Sequence, residues 1–302
     1  MLSGCFYVGA RPYPMYVEYR VPLGAGVPAA RVPLVLVHGG AHTGVCYTST
    51  PDDRPGWAAH FVDRGYPVYV VDWPGHGRSP MPPDFASMST LRVVDALGAL
   101  LDRIGRAVLV THSMSGPIGW QVAERWPELV AAVVGVAPGP PANLQPPYPA
   151  STSVPPDHPA TKSVFGAPWY TPEDAPLRFN EESARRNWAN TARFPVQAFD
   201  AYMSTLVPES ARAVNERNNV EGMGLALRDP DVLRRMPILV LTGDCDTRHP
   251  READEAVARA VGAEFLWLAD EGYTGHGHMM MIEHGNEAIA ERILRWLELK
   301  NL

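Results

Sequence analysis

Val108-Leu109-Val110-Thr111-His112-Ser113-Met114-Ser115-Gly116 is an apolar run that stops at one serine and resumes as an amphipathic segment reaching Trp126. A strand that turns tightly into a helix is how a chain lifts a reactive hydroxyl clear of a sheet. Such a turn is strained, and its flanking residues must be small because strand and helix nearly touch there. Thr111 and Ser115 hold the flanking positions, so the stretch is a variant of G-x-S-x-G with Ser113 as candidate nucleophile. The plain alternative is a serine that only caps a helix. A loose small-x-Ser-x-small pattern arises by chance about once in a chain of this length, so the surroundings must decide.

Upstream, Leu34-Val35-Leu36-Val37 runs into His38-Gly39-Gly40. Glycines let the backbone approach a carbonyl and aim N–H groups at it. The expected oxyanion donors are the backbone N–H groups of Gly40 and Met114. Downstream, Pro237-Ile238-Leu239-Val240-Leu241-Thr242 leads into Gly243-Asp244-Cys245-Asp246, and Gly275-His276-Gly277-His278 follows the apolar run Phe265 to Leu268. A hydroxyl, a carboxylate and an imidazole thus each come after an apolar strand.

The rest of the chain alternates in the same way. Short strands are expected at Cys5 to Val8, Met15 to Val21, Val32 to Val37 and Pro67 to Val71, with a helix from about Pro55 to Arg64 before the last. Helical spacing then covers Leu91 to Ile104 and Met114 to Trp126, and buried strands cover Ala107 to Val110 and Leu129 to Val136. This alternation predicts an α/β fold with a mostly parallel central sheet flanked by helices on both faces. From Pro138 the texture changes: Pro138-Gly139-Pro140-Pro141, Pro146-Pro147-Tyr148-Pro149 and Pro155-Pro156 rule out helix or strand interiors. Residues 139–236 read as an inserted cap between core parts 1–138 and 237–302. The core closes with a strand at Glu264 to Leu268 and a helix from Asn286 to Leu299.

Length and charge narrow the function. A chain of 302 residues accommodates one large core with an insertion. A net charge of −7 without a cluster of Lys and Arg argues against a nucleic-acid partner. No apolar run approaches the roughly 18 residues of a membrane span, and Met1 to Tyr16 lacks the pattern of a secretion signal. A cytoplasmic location is the default expectation, and a periplasmic or secreted one applies if a leader has been removed. Cys5, Cys46 and Cys245 are expected as reduced thiols with no metal-ligand spacing, although Cys46 and Cys245 both follow core strands and a pairing between them stays open.

On these residues the chain resembles the α/β-hydrolase superfamily, and more narrowly a group of bacterial serine esterases with an N-terminal strand pair. The narrower likeness rests on Phe6-Tyr7-Val8-Gly9, Met15 to Tyr19, His38-Gly39-Gly40 with Thr43-Gly44, Pro51 to Trp57, Asp72-Trp73-Pro74-Gly75-His76-Gly77-Arg78-Ser79, the Thr111 to Gly116 turn and Gly277-His278-Met279-Met280-Met281. The resemblance implies a triad in the order Ser, Asp, His: Ser113, Asp246 and His278. Some relatives carry the acid as Glu after the strand that follows the nucleophile, where this chain has Ala137-Pro138. Asp246 is therefore the candidate acid and Asp244 the fallback. Ala41 stands where a third glycine of the oxyanion loop is usual.

Other residues carry plainer alternatives. His276 is the nearest rival to His278, while His38, His76 and His112 are expected to shape loops. Asp72 is expected to brace a loop. Met279, Met280 and Met281 are expected in the core more than in the pocket wall. Of the cap aromatics Trp169, Tyr170, Trp188, Phe194 and Phe199, some are expected to wall the pocket. Arg185 and Arg186 read as a solvated helix face.

The implied chemistry is serine-dependent hydrolysis of carboxylic esters or lactones, with medium-sized uncharged substrates suggested by the apolar cap, and it needs no metal or organic cofactor. Dehalogenases and epoxide hydrolases attack with Asp at the turn and fit poorly. A serine lyase, a carbon–carbon bond hydrolase and a catalytically silent ligand binder on the same shell remain as alternatives. A homodimer through exposed cap surface is also left open.

Overall fold

A computed structural model describes residues 1–23, 31–155, 157–165 and 168–302. Pro156, part of the proline-rich stretch, lies outside the described residues. One sheet has eight strands: β1 (Leu2–Val8), β2 (Met15–Val21), β3 (Leu34–Val37), β4 (Val68–Asp72), β5 (Ala107–His112), β6 (Val130–Val136), β7 (Ile238–Thr242) and β8 (Glu264–Trp267). Their spatial order is β1-β2-β4-β3-β5-β6-β7-β8. β1 pairs antiparallel with β2, and β2 antiparallel with β4; every pairing from β4 onward is parallel.

The helices are α1 (Val45–Thr48), α2 (Trp57–Asp63), α3 (Leu91–Ile104), α4 (Ser115–Arg125), α5 (Glu181–Asn187), α6 (Phe199–Thr205), α7 (Ala211–Arg217), α8 (Pro230–Leu233), α9 (Arg251–Val261) and α10 (Asn286–Leu299). Among the described residues, none of the helices is long and apolar enough to cross a membrane.

Burial follows the pleat. β3, β5 and β6 are buried along their whole length, as strands covered on both faces must be. Successive residues point to opposite sides: Leu34 and Leu36 pack with Trp57, Phe61, Ile293 and Trp296 on one face, while Val35 and Val37 pack with Val94, Leu97, Ile118 and Val257 on the other. α3 presents Val93, Val94, Leu97, Leu100 and Leu101 along one helical stripe. α9, which the sequence reading left unassigned, joins the second face through Ala253, Val257, Ala258 and Val261.

The segment between β6 and β7 adds no strand to the sheet among its described residues and carries α5 to α8. Its aromatic residues divide into groups. Trp188, Phe194, Phe199 and Tyr202 continue the first core face, and Tyr170 packs on a small separate cluster of Tyr148, Ala160 and Val220. Met279, Met280 and Met281 are fully buried in that same first face. All three cysteines are free thiols, with Cys46 buried and Cys245 exposed.

The topology decides where a site can form. From β3 the chain goes to β4 on one side and then to β5 on the other, so β3 and β5 lie side by side while their following loops diverge. The crevice beyond the carboxyl ends of such a strand pair is the usual ligand position in parallel sheets. His38-Gly39-Gly40 leaves β3 there, and Ser113 follows β5.

Candidate active site

Ser113 occupies the turn between β5 and α4 with φ of 54°, a left-handed conformation unusual for a side chain with a Cβ. The backbone around it is pinned. Ser113 N–H donates to Val136 O at 3.1 Å, and the Gly116 and Gly139 N–H groups both donate to Ser113 O at 2.8 Å. Ser115 fills its flanking position usefully: its Oγ accepts from His112 N–H at 2.7 Å and lies 3.0 Å from Val37 O, tying the turn to β3. Thr111, on the other side, fits because α4 carries Gly119 opposite it. A Cβ on Gly119 would stand 2.6 Å from the threonine methyl, and one on Gly116 would stand 2.6 Å from Gly139 N. The close strand–helix approach is thus kept with its glycines displaced along α4.

The three triad candidates converge. Ser113 Oγ lies 2.9 Å from His278 Nε2, and His278 Nδ1 lies 2.7 Å from Asp246 Oδ2. His278 and Asp246 are buried, whereas Ser113 keeps partial exposure to the cleft. Burial lowers the His278 pKa from its ordinary value, and the Asp246 charge and hydrogen bond offset part of that. Burial would raise the Asp246 pKa, but the His278 charge and hydrogen bond outweigh it and hold the carboxyl well below its usual range. Asp246 Oδ1 also accepts from the Arg248 N–H at 2.9 Å.

Asp244 and His276 sit elsewhere. Asp244 Oδ1 accepts from Gly275 N–H at 2.7 Å and His276 N–H at 3.2 Å, which braces the loop bearing His278. His276 Nδ1 lies 3.0 Å from Glu283 Oε2. Three other histidines, His112, His249 and His38, brace the surroundings. His112 Nε2 meets His278 O at 2.9 Å, His249 stacks on His278 at 5.1 Å while its Nδ1 meets Asp254 at 2.9 Å, and His38 accepts from Trp73 N–H at 3.0 Å. Burial pushes His38 down to about 3, so it is neutral. Asp72 binds Gly44 N–H at 2.7 Å and the Arg78 side chain at 2.7 Å, which holds the two loops after β3 and β4 together.

Asp246, His249 and His278 also form a group whose ligand atoms lie within 4.8 Å of one another. Those atoms are already engaged: His249 Nδ1 by Asp254, and His278 by Asp246 and Ser113. The donor set therefore fits a relay better than a metal centre.

Gly39 and Gly40 allow the β3 loop to approach the nucleophile. A Cβ on Gly39 would stand 2.9 Å from Ser113 Cβ, and one on Gly40 would stand 2.2 Å from Met114 Sδ and 3.0 Å from Glu209 Oε2. Among the described residues, neither Gly40 N–H nor Met114 N–H donates to a protein acceptor, so both are free for an external oxygen. The next N–H, of Ala41, is taken by Glu209 Oε2 at 2.8 Å, and Ala41 adopts φ of 61°. Glu209 is fully buried just before α7 and also meets His76 Nε2 at 3.2 Å. Burial would neutralise both partners, yet their mutual attraction raises the His76 pKa and lowers that of Glu209. The segment beyond β6 thereby locks the glycine loop through a buried ion pair that the sequence reading did not single out.

The cleft over Ser113 is narrow, with a volume of about 30 Å³, and is lined by Gly40, Met114, Trp169, Phe179, Trp188, Val214, Arg217 and Arg248. Of the aromatics between β6 and β7, Trp169, Phe179 and Trp188 reach it. Arg185 and Arg186 remain on the surface beside Glu181 and Glu182. Arg217 and Arg248 carried no sequence signal except the proximity of Arg248 to Asp246.

The sequence profile of the Alpha/beta hydrolase family matches residues 34–292. A protein described as "Probable secreted lipase phiG", from Fungal sp. (strain ATCC 74256), is 27% identical over 359 residues, with 98% of this chain and 90% of that protein covered. A solved structure of a novel bacterial esterase superposes with a TM-score of 0.60 at 20% identity, covering 98% of this chain and 95% of that one. A serine hydrolase involved in carbazole degradation, the CarC enzyme, superposes with a TM-score of 0.63 at 19% identity, covering 99% and 100%. This chain belongs to the alpha/beta hydrolase family.

Proposed function

We propose that the protein is a carboxylic ester hydrolase, with lactones among its substrates, working by two-step acyl transfer. The observation that carries this reading is the unbroken chain of 2.9 Å and 2.7 Å contacts from Ser113 through His278 to Asp246, starting at a serine on a strained turn. Ser113 Oγ attacks the ester carbonyl carbon as His278 Nε2 takes its proton. The Gly40 and Met114 N–H groups receive the oxyanion. Collapse of the intermediate breaks the carbon–oxygen bond, and His278 returns the proton to the departing alcohol. A water deprotonated by the same imidazole then hydrolyses the acyl-enzyme, releasing the acid and restoring Ser113. Residues 139–236 serve as the cap that walls the cleft and pins the oxyanion loop. The fungal lipase and bacterial esterase relatives support the same reaction class.

The test combines labelling with turnover. A fluorophosphonate should add covalently to Ser113, as read by peptide mass spectrometry, and a panel of 4-nitrophenyl esters of rising acyl length should be hydrolysed. A folded protein that is neither labelled nor active on any ester would overturn the proposal.

The oxyanion assignment has its own expected result. Gly40→Ala forces the loop away from Met114 and Glu209, and kcat should fall by about 10²-fold, the scale of one lost donor. Circular dichroism of the variant separates a local shift from unfolding.

A further inference from the structure

Arg217, at the end of α7, and Arg248, two residues beyond Asp246, come from separate segments of the chain and both line the cleft. Elsewhere in this protein half-buried arginines are matched: Arg54 meets Asp52, and Arg20 meets Glu18. Among the described residues, neither cleft arginine has a carboxylate within 4.0 Å. Glu216, the neighbour in sequence, is occupied by Thr90 and Arg212. The Arg217 guanidinium donates to Asn218 Oδ1 at 3.1 Å, while Arg248 Nε is buried with no partner.

The Asp246 carboxylate acts on the Arg248 guanidinium only through its charge and is itself held by His278; two cations lining one apolar cleft without a directly paired anion are costly, because buried charge is normally paired and hydrogen-bonded. Burial and then the nearby Arg248 charge push Arg217 down to about 9, which leaves it cationic at neutral pH. A position at the C-terminus of α7 favours one positive charge. It does not account for the second one nearby, nor for the orphaned Nε. The guanidinium fork matches a carboxylate, and the walls of Trp169, Phe179, Trp188 and Val214 would strengthen such a pairing by excluding water.

We propose that Arg217 and Arg248 bind a carboxylate carried by the ester substrate, so that the enzyme prefers acidic esters over the uncharged ones an apolar cap alone would suggest. This rests on the ester hydrolase reading above and adds the substrate class. Ser113 would attack the ester carbonyl while the free carboxylate sits between the two guanidinium groups.

The test compares isosteric pairs that differ in charge. On the acyl side, monoethyl glutarate is set against ethyl glutaramate; on the alcohol side, 4-acetoxybenzoate is set against 4-acetoxybenzamide. Each rate is normalised to hydroxide hydrolysis of the same ester. In at least one pair, kcat/KM for the carboxylate should exceed that for the amide by about 10- to 100-fold, the scale of a charge-assisted pairing. The preference should sit mainly in KM, because the pairing exists before the transition state, and should shrink with added salt. Arg217→Gln and Arg248→Gln should each reduce the ratio, and the wild-type ratio decides the matter if either variant fails to fold.

Amide esters hydrolysed as well as their carboxylate partners in both pairs would overturn this inference and leave ester hydrolysis standing. A preference that survives both substitutions would overturn the assignment to these arginines. No turnover of any ester, with no phosphonate label on Ser113, would remove the underlying reading as well.

Discussion

Ser113→Ala is expected to lower kcat on carboxylic esters by about 10⁶-fold, by analogy with serine proteases in which the nucleophile is removed. The substitution deletes one oxygen from a partly exposed position. The backbone bonds that hold the turn, from Gly116 and Gly139 to Ser113 O and from Ser113 to Val136 O, do not involve that oxygen. Alanine meets the same φ of 54° with a Cβ of the same size, so the local strain is unchanged. His278 keeps its contact to Asp246, and the Gly40 and Met114 N–H groups keep their places. A residual acceleration of about 10³- to 10⁴-fold over water should survive from those donors and from binding. Steady-state kinetics beside a thermal unfolding curve close to that of the parent protein checks the result. A variant retaining a tenth of the parent turnover would show that another nucleophile does the work.

The sheet and the serine turn were legible in the sequence because their signals are local. Val108 to Val110, Leu34 to Val37 and Val130 to Val136 are apolar runs bounded by turn residues, and all three are buried strands. Met15–Val21 and Asn286–Leu299 were readable to their last residue for the same reason. The substitution of Thr111 for glycine was readable only as a departure. Its explanation, the room left by Gly119, depends on which helix face meets β5.

Long-range electrostatics left no trace in the sequence. Glu209 sits in an ordinary Pro-Glu-Ser stretch, and its partner His76 lies 133 residues away. Arg217 lies in a polar run at the end of a short helix, and nothing local reveals that its charge shares a cleft with that of Arg248. The aromatics between β6 and β7 show the same division. Their composition predicts a hydrophobic face, but only tertiary packing assigns Trp169 and Trp188 to the cleft and Phe194 and Phe199 to the core beneath it.

Asp246→Asn is expected to lower kcat by about 10⁴-fold, and Asp244→Asn should have a far smaller effect. The two positions differ in what they hold. Asp246 faces the imidazole at 2.7 Å and requires the proton to sit on Nδ1, which leaves Nε2 free to accept from Ser113. An asparagine amide can donate to Nδ1 instead, which moves the ring proton to Nε2 and deprives the serine of its base. Asp244 only accepts from the backbone N–H groups of Gly275 and His276, and an asparagine oxygen can accept the same bonds.

The pH profile adds an independent readout. Burial lowers the His278 pKa, and the Asp246 charge is the largest influence raising it. Removing that charge should lower the imidazole further. The acid limb of kcat/KM in Asp246→Asn should therefore move to lower pH, because the residual activity still needs a neutral base, whereas in Asp244→Asn it should stay in place. The reverse pattern, a near-normal Asp246→Asn and a crippled Asp244→Asn, would transfer the role of the acid to Asp244 and require the loop at Gly275 to rearrange before catalysis.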